Sequence, residues 1–151
     1  MIKKKKMNNG FKKLTNNEWN ELLKAPVLLS IYAASGDHDI SKREKAEAIK
    51  MAHFKTFTEN PFLVPYYKEV DKRFTKYFEE VVEKYAPFDD LKREKLKEEI
   101  SMLDPIVGKL NKEFAKTFTK SLRGYSEHVK KAGRGYVIDF VFPLPLPGIT
   151  G

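Results

Sequence analysis

The chain has 151 residues, with 29 basic and 21 acidic side chains, a charged fraction of 33% and no cysteine, which fits one soluble globular unit and rules out disulfides and thiolate-bound metal. The formal charge of +8 is concentrated at the start: Lys3, Lys4, Lys5, Lys6, Lys12 and Lys13 face no acid within residues 1–13, and the remaining 23 basic against 21 acidic side chains leave only +2. The lysine run carries no apolar segment of the kind a signal peptide needs, and the longest apolar run elsewhere, about ten residues, is roughly half of a membrane span.

Residues 1–13 therefore read as a disordered basic tail, and the chain as cytoplasmic, with no membrane insertion expected. Thr15-Asn16-Asn17-Glu18 has the form of a capping box, in which the Thr15 hydroxyl accepts from the third helical N–H and Glu18 reaches back to the cap. In the helix that follows, Trp19, Leu22, Leu23 and Pro26 share a face, but from Val27 to Ala34 apolar residues point almost all round. Such a helix must be central. Pro26 removes a backbone donor and crowds the preceding turn, so a kink or break is expected near Leu22.

Ser35-Gly36-Asp37-His38-Asp39 is the stop, with Gly36 suited to the left-handed conformation that ends a helix. Ser41-Lys42-Arg43-Glu44 is a second capping box, and on the helix it opens Ala46, Ile49, Ala52, His53, Thr56 and Phe57 form the expected apolar face. The link between these two helices is short, which predicts an antiparallel hairpin. His53 on that face reads as a hydrogen-bonded core histidine.

Asn60-Pro61 and Pro65 mark a breaker and a helix start. The next helix is strongly periodic, with Tyr67, Val70, Phe74, Tyr77, Phe78, Val81, Val82 and Tyr85 on under half the wheel, and it ends at Ala86-Pro87. Asp89 or Asp90 caps what comes next. From there Leu96, Ile100, Leu103, Val107, Leu110, Phe114, Phe118 and Tyr125 keep one angular phase, so a single helical path is expected. Asp104-Pro105, a cap followed by a first helical residue, predicts a kink or a break in it. After Gly135 the chain turns apolar and β-branched, and the alternating prolines from Pro143 to Pro147 force an extended end. Phe140, Phe142, Leu144 and Leu146 there are candidate partner-binding residues, against either the chain's own bundle or another subunit.

The segment Ala33-Ala34-Ser35-Gly36-Asp37-His38-Asp39-Ile40-Ser41-Lys42-Arg43-Glu44 resembles the helix, acidic turn and helix signature of TerB-like proteins. In that family an alanine-rich helix runs into Asp-Gly-x-Ile-Ser-x-x-Glu. Asp37, Ile40, Ser41 and Glu44 match position by position, His38 stands where the family has glycine, and Leu122 to Glu127 lacks the aspartate of the family's second turn. The resemblance implies a compact all-helical protein associated with tellurite resistance and related stress responses.

Two further groups of residues could carry function. Asp37, Asp39 and Ser41 place oxygen ligands at alternate positions, like the opening of a calcium loop, which makes Asp37, Asp39 and Glu44 a candidate metal site. Lys42 and Ala48 stand where such a loop needs glycine and glutamate, so turn formation and helix capping explain the acids as well. Lys109, Lys112, Lys116, Lys120 and Arg123 line up on the face opposite the buried one and form a candidate anion-binding stripe, although no aromatic residue interleaves them as a base-stacking platform. Nucleic acid is accordingly not the expected partner. No nucleophile elbow, glycine-rich phosphate loop or histidine pair at ligand spacing is present, so neither catalysis nor a cofactor is expected.

These readings combine into an all-α protein: a single compact bundle of about five to six helices over residues 14–135, followed by an extended, apolar, proline-rich tail over 136–151 that packs on the bundle or on a partner. The function expected is that of a non-enzymatic, TerB-like interaction module, with self-association or a protein partner. An anion or nucleic-acid binder and a divalent-metal binder are the alternatives.

Overall fold

The computed structural model describes residues 10–35, 40–58 and 60–134, with the backbone alone for residues 57, 58 and 129–134. All regular structure among these residues is helical, in seven segments: α1 Asn16–Leu23, α2 Ala25–Ala34, α3 Lys42–Thr58, α4 Val64–Tyr85, α5 Asp90–Ser101, α6 Asp104–Val107 and α7 Lys112–Arg134. The expected all-α bundle is present. It is divided more finely than the five or six helices read from the sequence.

Thr15 forms the expected capping box, accepting from the Glu18 N–H at 3.1 Å while its own N–H donates to Glu18 Oε1 at 3.0 Å. The break anticipated from Pro26 falls at Lys24, leaving Pro26 in the first turn of α2, where proline is well accommodated. The proline still deprives the Leu22 carbonyl of the helical donor four residues on. The Tyr66 hydroxyl supplies the replacement, donating to that carbonyl at 2.6 Å from within the core. Apart from half-buried Tyr32, all of α2 is buried, because it packs against α7, α4, α5, α3 and α1. An apolar circumference has only this solution.

α3 opens on its own capping box, with the Glu44 N–H donating to Ser41 Oγ at 3.0 Å and the Ser41 N–H to Glu44 Oε1 at 2.9 Å. Its buried side is shifted from the one expected: Ala52 and Thr56 are buried as read and Ile49 is half-buried, but Glu44 and Ala48 complete an inward row four residues apart, while Ala46 and His53 are exposed. Glu44 explains the rotation: the capping box occupies one oxygen of its carboxyl and turns the side chain into the fold, so a charged residue belongs to the inner face. Tyr125 completes that face by donating its hydroxyl to the Ala48 carbonyl. The pairing of helices also departs from a simple hairpin, since α3 packs mainly on α4 and α2 mainly on α7.

α4 buries Tyr66, Tyr67, Val70, Phe74, Phe78, Val81 and Tyr85; of the periodic face read from the sequence, Tyr77 and Val82 are only half-buried, and Tyr66 is added to it. Asp89 caps α5 by accepting from the Lys92 N–H at 2.8 Å. The path from Leu96 to Tyr125 is broken twice, after Ser101 and again between Gly108 and Asn111, although its apolar series stays buried except at half-buried Phe114. Asp104 does not cap: Leu103 holds the cap position of α6, and Asp104 is the first helical residue, with its Oδ1 buried and unpartnered. Asn111 caps α7, accepting from the N–H groups of Glu113 at 3.0 Å and Phe114 at 3.3 Å.

The proposed boundary of a tail at residue 13 is corrected by Phe11. It is fully buried, with its ring 4.8 Å from Phe114, 5.0 Å from Trp19, 5.4 Å from Phe118 and 5.5 Å from Tyr66. Composition alone hides this anchor, because a single phenylalanine between Gly10 and Lys12 carries no periodicity. Residues 136–151 lie outside the described residues.

Candidate functional site

Of the metal candidates, Asp37 and Asp39 lie outside the described residues, whereas Glu44 is 1% exposed. Its Oε1 belongs to the capping box and its Oε2 has no hydrogen-bond partner. Among the described residues no group of three or more histidines and carboxylates converges to hold a metal ion. His53 pairs with Asp71 at 2.8 Å and His128 with Glu47 at 3.2 Å, both on exposed surface, so His53 is hydrogen-bonded but not in the core.

The basic stripe is only partly one surface. Lys109 sits in the link before α7 and is drawn into an ion pair with Glu18, which, with the Thr15 N–H, holds the Glu18 carboxyl below the usual carboxylate range. Lys112, Lys116, Lys120 and Arg123 are exposed along α7. The partner-binding candidates Phe140, Phe142, Leu144 and Leu146 fall outside the described residues.

One concave feature was not anticipated. An open groove of about 430 Å³ runs between the start of α3 and the second half of α4, with Ile40, Phe78, Val82, Ala86 and Phe88 giving it an apolar floor. Charges of both signs border it: Lys42 and Lys45 on the α3 side, Glu79 and Glu83 on the α4 side. Lys45 and Glu79 pair across it at 3.2 Å, with the Lys45 ammonium 5.9 Å from the centre of the Phe78 ring. Phe78 and Val82 stood in the periodic face of α4, but only the approach of Ile40 and Phe88 from two separate loops turns part of that face into a groove.

The same end of the molecule is tied together by charge and aromatic contacts. The Arg93 guanidinium stacks on Tyr32 at 4.3 Å and donates to the Tyr32 carbonyl at 2.8 Å, fixing α5 to the end of α2. Burial and the neighbouring Glu99, whose carboxylate accepts from the Tyr85 hydroxyl, push the Tyr85 phenol well above its ordinary range. No helix of the described residues is long and apolar enough to cross a membrane. Comparison with family models, with curated proteins and with solved structures finds no match to this chain.

Proposed function

We propose that the chain is a non-enzymatic interaction module of the TerB-like kind, whose groove between α3 and α4 receives an amphipathic segment of a partner protein. The observation that carries this reading is the groove itself, an apolar floor bordered by cations on one side and carboxylates on the other. An apolar face with an acid on one flank and a base on the other is complementary to it, and such borders select partner and orientation. The link to stress response rests on the resemblance over residues 33–44 alone, and a cytoplasmic setting is part of the same proposal.

A thiol-attached photo-crosslinker on Ala86→Cys, at an exposed position lining the groove, tests the reading in the full chain, because a chain without native cysteine offers the probe one attachment site. The expected product is a crosslink to one partner segment of the stated pattern, lost when Lys42→Glu and Glu83→Lys reverse the borders. A crosslink only to residues 136–151 of the chain's own tail, or turnover of a substrate by the purified protein, overturns it.

A further inference from the structure

A second surface is built from parts that lie apart in the chain. Lys112, Lys116 and Lys120 follow one another at intervals of four along α7, spanning about 12 Å at 1.5 Å per residue. All three are exposed, and their ammonium groups make no ion pair or hydrogen bond among the described residues. Lys12 and Lys13, also exposed, are carried to the same end of α7: Phe11 just before them packs on Phe114, and Glu18 just after them pairs with Lys109.

Beside this row, Glu113 and Thr117 come next around the helix and form one wall of a hollow of about 370 Å³. Phe62, 67% exposed in the turn before α4, and half-buried Phe114 are its aromatic lining, with Gly10 and Asn60 at the edge. The stacking platform missing from the basic stripe in the sequence is thus supplied by the fold, from the loop that precedes α4.

We infer that this surface binds single-stranded nucleic acid, with phosphates along Lys12, Lys13, Lys112, Lys116 and Lys120 and a base stacked on Phe62. Unpaired cations beside an exposed ring are what a flexible strand needs, since every base offers a face to stack and every nucleotide a phosphate. A duplex hides its base faces, leaving Phe62 without a role. The Glu113 carboxylate beside the ring is an acceptor for the exocyclic amino groups of a base.

Fluorescence anisotropy of the full chain with labelled oligo(U) and oligo(dT), measured across about 0.05–0.3 M salt, tests this. Binding is expected to weaken steeply with salt. The triple variant Lys112→Glu, Lys116→Glu, Lys120→Glu should lower affinity at least tenfold and flatten the slope of log K against log salt by about 2, near 0.7 for each lost phosphate contact. Phe62→Ala should lower affinity by roughly 5- to 100-fold with the slope unchanged, the signature of lost stacking. The substituted positions are exposed, and an unchanged melting curve verifies that each variant is folded. Absence of binding at the lowest salt, affinity indifferent to both variants, or equal competition by polyglutamate of matched charge overturns the inference.

Discussion

Leu22 gives up its helical donor because the residue four positions on is Pro26, and the buried Tyr66 hydroxyl stands in for it at 2.6 Å. Losing that hydroxyl removes the core donor to the Leu22 carbonyl, so Tyr66→Phe should cost about 1–3 kcal/mol. In a Pro26→Ala background, where residue 26 regains an N–H, the cost should shrink; denaturant unfolding of the four-member cycle measures it, and equal costs in both backgrounds would break the link. Asp104 presents the opposite case, a carboxyl that burial raises above the ordinary aspartate range and whose Oδ1 has no partner. A carboxyl that holds its proton more tightly folded than unfolded stabilises below its unfolded pKa, and this contribution is lost as pH rises through the raised folded value. Ionised Asp104 therefore opposes folding at neutral pH despite its place at a helix start. Asp104→Asn should raise neutral-pH stability by on the order of 1 kcal/mol, with the gain disappearing in acid, where Asp104 is itself neutral. A gain of the same size at both pH values would refute this account.

Among the elements, what was legible in the sequence was what is decided locally. Both capping boxes, the Asp89 cap and the periodic face of α4 depend on residues within a turn or two of one another, and all are found. The inner face of α3 was legible only at Ala52 and Thr56, because the side taken by Glu44 depends on how its cap turns the carboxyl and on Tyr125 arriving from α7. The same applies to both candidate surfaces. Phe78 and Val82 look like ordinary core positions and Phe62 like a loop residue until distant segments come to lie beside them. α7 itself carries a removable weakness. Gly124 lies in its interior, and a Cβ built there meets nothing within 4 Å. Gly124→Ala should stabilise the protein by about 0.5–1 kcal/mol through reduced chain entropy and better helix propensity, without touching the lysine row. Thermal melting checks it, and a loss of stability would mean that the helix surface at Gly124 is not open.

For the whole molecule, the decisive question is where the folded unit begins, and Phe11 answers it. The Phe11 ring is a shared contact of α1, α4 and α7 through Trp19, Tyr66, Phe114 and Phe118, so the segment before the first cap is part of the core. Gly10 shows how closely it fits: a Cβ there would stand 2.5 Å from the Phe114 ring. Phe11→Ala should therefore cost about 3–5 kcal/mol, as a buried phenylalanine does, and lower the melting temperature by roughly 6–20 °C for a chain of this size. Gly10→Ala should also destabilise, by a smaller amount set by how far Phe114 can yield. Lys12→Ala and Lys13→Ala, on the exposed side of the same segment, should stay within about 0.5 kcal/mol. The contrast is the test. If all four substitutions were neutral, the segment would be a tether with no share in folding, and Lys12 and Lys13 would lose the fixed position beside α7 that joins them to the lysine row.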